Sequence, residues 1–217
     1  MKNAFTIGVL ALAALLMLPA GLSAQEAKPA SAEAEPLDTT GAHQVIEGFH
    51  ADLLEILRQS EELGQAGRAE ALHPILNRSM NLRALGIGAV GRRNWSTWDD
   101  DQRDQFLDVF TRFMASTYAA RFKSFNNQEF LIIRERPGPR SSIIVMTQVK
   151  SPARDTTNID YLMIYQNDQW AVADIFLDSA VSEVAMRRSE FSGILRKDGF
   201  DALLVAIRDK TTRQNTP

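Results

Sequence analysis

An α+β domain is predicted, with helices first, a four-stranded antiparallel meander next and helices last. Three observations carry it. The stretch from Trp95 to Phe125 spaces its large apolar residues three and four apart, the signature of one face of an α-helix. After Phe125 the apolar period falls to about two. From Val181 onward the helical spacing returns. The chain has 217 residues, 24% of them charged, and no cysteine. That suits one soluble domain with extensions, held by an ordinary apolar core rather than a disulfide framework.

The N-terminus differs from the rest. Lys2 precedes a nearly unbroken apolar run from Ala4 to Leu18, which Pro19 and small residues up to Ala24 close. This is the plan of a cleavable secretory signal over residues 1–24. Lys2 is its only charge, so its removal takes the net charge from −3 to −4. Such a balance suggests neither nucleic acid nor an acidic membrane surface as a partner. Residues 25–42 are rich in Ala, Glu and Pro with almost no large apolar side chain, and read as a flexible tether. A folded domain is expected over 43–211, and the polar tail 212–217 is expected to fray.

Within the domain, His43 to Gln59 places Val45, Ile46, Phe49, Leu53, Ile56 and Leu57 at helical spacing, and Gly64 and Gly67 end that helix. A second helical piece runs from Arg68, interrupted at Pro74, with Leu72, Ile75, Leu76 and Met80 turned inward. Leu82, Leu85, Ile87 and Val90 continue through a close-packing stretch containing Gly86, Gly88 and Gly91. No phosphate-loop pattern is present there. The helix that follows carries Phe106, Leu107, Phe110, Phe113, Met114, Tyr118, Phe122 and Phe125. Thr97 and Asp100 resemble a capping box, and Asp99 to Asp101 suit the positive end of the helix dipole. Such an aromatic load either packs on a sheet or borders a cavity for an apolar ligand.

Four strands are expected, at 128–136, 141–150, 158–166 and 169–177. The gaps at Pro137-Gly138-Pro139, Ser151 to Thr156 and Asn167-Asp168 are short, so neighbours must be antiparallel. On the last strand Trp170, Val172, Asp174 and Phe176 share one side by simple alternation. Both faces of the sheet are largely apolar, so helices cover both or one face borders a cavity. Helices at Val181–Arg196 and Phe200–Lys210, split at Asp198-Gly199, complete the domain.

Catalytic signals are sparse. His43, His50 and His73 have no third ligand at metal spacing and read as surface histidines. No serine lies in a nucleophile-elbow context. Asp160 beside Tyr161, and Asp174 on the Trp170 strand, are the acid/base candidates. A buried carboxyl next to a tyrosine in an apolar cavity is the apparatus of an enolising isomerase. For Asp174 the alternative is a carboxylate bonded to a turn or to an arginine such as Arg187 or Arg188. Arg92, Arg93, Arg187 and Arg188 form two pairs that are either solvated charge or donors for a polar head group.

The joint pattern resembles a known family. GRRNWSTWDDDQRDQFLDVFTRFMASTYAARF is similar to the G-R-x-W, Q-R-x-x-F-x-x-x-F and T-Y-A signature of the MlaC/toluene-tolerance family, through Gly91, Arg92, Trp95, Gln102, Arg103, Phe106, Phe110, Thr117, Tyr118 and Ala119. Val145, Thr147 and Val149 match its V-x-T-x-V strand, and Asp160, Tyr161, Trp170, Val172, Asp174 and Ile175 its D-Y, W-x-V and D-[IV] pattern. The resemblance covers about residues 43–211. Ala180-Val181-Ser182 stands where many members have Gly-Val-Ser, Arg187 where a tyrosine is common, and Arg93 lengthens the G-R-x-W step. SEVAMRRSEF is closer to the hopanoid-biosynthesis-associated branch, HpnM.

The resemblance implies an NTF2-like or MlaC-like sheet-and-helix sandwich around an apolar lipid cavity. It implies a periplasmic carrier without enzymatic activity, cofactor or metal, which shuttles phospholipid or hopanoid between a membrane ABC complex and a second membrane-bound partner. Residues expected at the lipid are Trp95, Phe106, Phe110, Phe113, Met114, Tyr118, Phe122, Val145, Val149, Tyr161, Met163 and Val172. Arg92, Arg188 and Asp174 are expected at the head group or in a clamp, with Arg188 pairing Asp174. An isomerase- or hydratase-like enzyme on a similar cone-shaped fold, using Asp160, Tyr161 or Asp174, is the alternative.

Overall fold

The computed structural model describes residues 39–152 and 154–216. The expected signal segment and most of the tether lie outside them. The last tether residues do not: α1 spans Thr40–Arg58, and Ala42 is fully buried in the core. The stripe Ile46, Phe49, His50, Leu53 and Leu57 is the inward face of α1.

Helix α2 (Ser60–Ser79) bends where Gly64 takes φ 60 and ψ −170, a conformation that glycine adopts without strain. The first helix thus ends at Arg58, before the two glycines expected to end it; Gly64 bends the second helix, and Gly67 and Pro74 stay inside it. Asn81 caps α3 (Leu82–Val90), its side-chain oxygen accepting from the Ala84 N–H at 2.9 Å. The glycines of α3 permit contact at atomic range. A Cβ on Gly88 would stand 2.4 Å from Val184 Cγ1, and one on Gly86 3.1 Å from the Phe106 ring.

Short α4 (Arg92–Thr97) leads into α5 (Asp100–Arg121). The capping box of α5 begins at Asp99, two residues later than the expected Thr97. Asp99 Oδ1 accepts from Gln102 N–H at 2.7 Å, and Gln102 Oε1 accepts from Asp99 N–H at 3.1 Å. A carboxylate at this position also answers the helix dipole, which a threonine cannot.

Helix α5 is buried nearly all round from Phe113 to Ala119. It packs mainly on α2 and α7 rather than laying its aromatic face on the sheet. Its aromatic load is taken up within the helical layer. Phe106 stacks on Phe110 with centroids 5.3 Å apart, and Phe110 meets Phe191 edge-on at 6.3 Å. The expectation of a sheet against that face is thereby corrected.

The sheet is a meander in the order β1 (Glu129–Pro137), β2 (Ser142–Ser151), β3 (Arg154–Gln166), β4 (Gln169–Leu177), β5 (Val181–Ser182), antiparallel throughout. The fifth strand, absent from the four-strand expectation, has two residues taken from the predicted start of the following helix. Alternation on β4 is broken by a bulge. Met163 faces Val172 and Tyr161 faces Ile175, so Val172 and Ile175 share the core face while Asp174 turns to the other. Trp170, Val172 and Asp174 therefore do not form one row.

The C-terminal helices are α6 (Glu183–Lys197) and α7 (Gly199–Asn215). The tail expected to fray is helical as far as Asn215. Ser116 donates to Asn215 Oδ1 at 2.7 Å, and Gln214 lies 3.4 Å from Thr117 Oγ1, so polar side chains dock this last turn on α5. Among the described residues no helix is long and apolar enough to cross a membrane.

Candidate functional site

The C-terminal turn of α5 is where the helical layer reaches the sheet. Phe122 ends the helix, and its N–H bonds to Tyr118 O. Beyond it the chain turns through Lys123 to Gln128 before entering β1. This turn is held by its own side chains: Gln128 Oε1 accepts from Asn126 N–H at 2.6 Å, and Gln128 Nε2 donates to Ser124 O at 2.7 Å. Ser151 Oγ donates to Asn126 O at 3.3 Å, tying the turn to the end of β2.

Between this turn, α1 and the core face of β2 to β4 lies a cavity of about 380 Å³. Its apolar wall is Phe49, Phe122, Val149, Ile159, Ile175 and Leu177, with the rings of Tyr118 and Tyr161. Its other side is polar, from Arg121, Lys123, Ser124, Asn126, Gln128, Ser151, Asp155 and Thr157. An apolar chamber with one polar side accepts an amphiphile, tail inward.

Two buried polar clusters adjoin it. His50 Nε2 and the Tyr161 hydroxyl share a hydrogen bond of 3.0 Å. Burial lowers the His50 pKa to about 4, so its imidazole is neutral at neutral pH, and burial pushes the Tyr161 hydroxyl up. His50 also lies 4.6 Å from the Phe130 ring. The reading of His50 as a surface residue is corrected: it is a core histidine satisfied by a tyrosine. His43 contacts Glu135 at 3.1 Å, and His73 meets Asn77. Among the described residues no group of three histidine or acidic side chains could hold a metal ion.

The second cluster joins three helices. Glu183, buried at the start of α6, pairs with Arg121 Nη2 at 2.8 Å and with Arg187 Nη2 at 2.5 Å. Arg187 continues to Glu190 at 2.8 Å, and Glu190 pairs with Lys210 on α7. The Arg187 guanidinium lies 4.8 Å from the Phe113 ring centroid. Tyr118 lies beside this cluster. Burial first, and the Glu183 charge second, raise its pKa well above the ordinary range. Its hydroxyl and Arg121 Nη1 are buried without a hydrogen-bond partner.

A family model, MlaC protein, matches residues 47–209. The chain belongs to the MlaC family. A solved structure with the same fold is the phospholipid-binding protein from Ralstonia solanacearum in complex with a phospholipid. It is 17% identical, covers 81% of this chain and 99% of its own, and superposes with a TM-score of 0.68. None of the curated proteins matches the sequence.

In this MlaC-family chain the structure brings together four of the twelve residues expected at the ligand. Tyr118, Phe122, Val149 and Tyr161 line the cavity. Trp95, Phe106, Phe110, Phe113, Met114, Val145, Met163 and Val172 are instead packed in the core. The reason is length. Helix α5 has 22 residues and so spans about 33 Å, and only its last turn reaches the sheet's void.

Arg92 and Arg188 are exposed and line no part of the cavity. Arg188 Nε donates to Gly88 O at 2.9 Å, so it does not clamp Asp174. Asp174 instead accepts from Ser182 Oγ at 2.6 Å and from the N–H groups of Ile175 and Val184 at 2.8 and 3.1 Å. Ser182 Oγ in turn accepts from Ala185 N–H at 2.9 Å. Asp174 is therefore part of the N-terminal cap of α6, although burial raises its pKa. Neither Asp160 nor Asp174 lines the cavity; the carboxylate that does, with Tyr161, is Asp155. Sequence reasoning missed Phe49, Arg121, Ile159, Ile175, Leu177 and the turn from Lys123 to Gln128. Arg121 was findable, standing one helical turn beyond Tyr118.

Proposed function

We propose that this chain is a periplasmic lipid carrier, holding the apolar part of its ligand in the cavity at the end of α5. It shuttles phospholipid, or in the alternative a hopanoid, between a membrane ABC complex and a second membrane-bound partner. The observation that carries the reading is a chamber of about 380 Å³ with an apolar wall and a polar side, in a chain of the MlaC family. The Ralstonia protein of the same fold is described as phospholipid-binding, which favours phospholipid over hopanoid.

The physics requires a container. Each methylene withdrawn from water gains about 0.8 kcal/mol, so an acyl chain crosses an aqueous space rarely on its own. A carrier hides the chain and leaves the head group wet, and its partner must compete for the chain to take delivery. Organic extraction of the purified protein followed by mass spectrometry tests the reading. A stoichiometric lipid is expected, and its absence after expression in a lipid-replete host would count against carriage. N-terminal sequencing of the secreted form should begin near Gln25. Full-length protein confined to membranes would point to an uncleaved anchor.

A further inference from the structure

An antiparallel sheet with helices on one face ordinarily alternates apolar and polar residues, because its other face is wet. Here the outer face is apolar as well. The register sets Met146 beside Asp160, Ile144 beside Leu162, Asp160 beside Phe176 and Ile164 beside Ala171, on the side away from Val145, Tyr161 and Val172. Leu131 joins them from β1, opposite Gln148. None of Leu131, Ile144, Met146, Leu162, Ile164 and Phe176 belongs to the core cluster or packs against it, although every helix contributes to that cluster. The start of α6 reaches the β4 edge of this face, where the Val184 N–H donates to Asp174. An apolar patch with no element laid over it marks a docking surface.

The exposed charge beside the patch is basic. Arg134 and Arg136 stand on β1 next to Met146 and Ile144, and both are exposed. Glu135 between them turns to the helical side, to His43. Among the described residues no carboxylate pairs with either arginine. The face's own carboxylates are withdrawn: Asp160 is 2% exposed, Asp174 is bonded at the start of α6, and Glu129 sits opposite Lys150 at the far end.

Size selects the occupant. Neighbouring strands lie about 4.8 Å apart, and outward residues on one strand about 6.8 Å apart. The patch from β1 to β4 is therefore about 14 Å wide and about 20 Å long. That is about 300 Å², against the roughly 800 Å² that each partner gives to a stable interface. A second copy of this chain needs more. One α-helix, about 10 Å across, fits along β2 and β3, and acidic residues one turn apart on it, about 5.4 Å, meet the two arginines.

We infer that the outer face of β1 to β4 docks an amphipathic helix of a partner protein, its apolar stripe on Ile144, Met146, Leu162 and Ile164 and its acidic flank on Arg134 and Arg136. The site lies across the sheet from the cavity and does not depend on what the cavity holds.

Two helical peptides of about 18 residues test it by fluorescence anisotropy with the purified protein. Both carry the same leucine stripe, one flanked by glutamate and the other by lysine. The glutamate peptide is expected to bind one per protein and about tenfold more tightly than the lysine peptide. Arg134→Glu with Arg136→Glu should invert that order. Met146→Gln with Ile164→Gln should weaken the glutamate peptide by about tenfold. Its melting temperature should stay near the parent's, since neither side chain packs on the core. Should that variant melt early, the arginine pair decides, because both of its side chains are exposed. Equal binding of the two peptides, an order unchanged in the arginine variant, or binding of neither overturns the inference. A dimer in sedimentation velocity that the glutamine pair dissolves also overturns it, and gives the face to a second copy. Flotation with phosphatidylglycerol vesicles that the arginine variant loses, where neither peptide binds, overturns it in favour of a membrane surface.

Discussion

At the scale of single residues, His50 carries the most direct consequence. The unfolded histidine takes up a proton near pH 6.5, whereas burial delays uptake in the folded protein to about pH 4. Between those values the unfolded state binds more protons, so stability falls as pH falls, and it is fully present only above 6.5. The shift corresponds to about 3 kcal/mol. Urea midpoints measured from pH 7 to pH 4 should decline steeply, and His50→Phe should flatten that decline. An unaltered slope in the variant would assign the acid sensitivity elsewhere. The position was legible in the sequence, because residue 50 lies on the same helical stripe as Ile46, Phe49, Leu53 and Leu57. What could not be read was its partner Tyr161, 111 residues away, without which a histidine on an apolar stripe has no evident means of satisfaction. Asp174 misled for a related reason. Its partners are the Ser182 hydroxyl and the Val184 N–H at the start of α6 and the N–H of Ile175 next to it on β4, and backbone donors leave no mark on a sequence.

Among the elements, α3 and α6 cross at atomic range at Gly88. Gly88→Ala should cost about 1–3 kcal/mol by overpacking, since the new carbon would meet Val184 Cγ1 at 2.4 Å. Gly193→Ala, within α6 and with nothing near its Cβ position, should instead gain about 0.5–1 kcal/mol from helix propensity. Chemical denaturation of the pair would show opposite signs. The link between α5 and α6 rests on a different force. Glu183→Ala removes a buried carboxylate shared by Arg121 and Arg187 and should destabilise by about 3–5 kcal/mol. A change below about 1 kcal/mol, typical of an exposed pair, would mean that water reaches the cluster. Element identities were readable because apolar periodicity records which face is buried. The bulge on β4 was not, because one extra residue shifts parity without changing composition.

For the whole molecule, the question is where space is left over. The sequence announced an aromatic helix at the centre, and α5 is there, but most of its burial is against α2, α3 and α7, with Phe191 of α6 against Phe110 and Phe113. An apolar residue reads alike whether it faces a neighbour or a void, so eight of the twelve expected contacts belong to the packed core. Two substitutions map the boundary. Met114→Trp should cost about 1–3 kcal/mol and leave lipid content unchanged, since Met114 is packed on every side. Val149→Trp should fill part of the cavity, lowering co-purified lipid with little change in melting temperature. The reverse assignment of effects would place the chamber deeper, along the middle of α5.

The pairing of α1 with β3 has a kinetic consequence. A ribosome delivers His50 and Phe49 long before it delivers Tyr161, the residue that closes over both. Until then α1 has α2 against it, but the part of its apolar stripe that faces the sheet is uncovered. Contacts this distant in sequence slow folding, because the loop between them must be closed first. A nascent chain stalled before residue 161 should therefore be protease-sensitive and bind holdase chaperones through α1. Release should follow once β3 and β4 have emerged and α1 has its second wall.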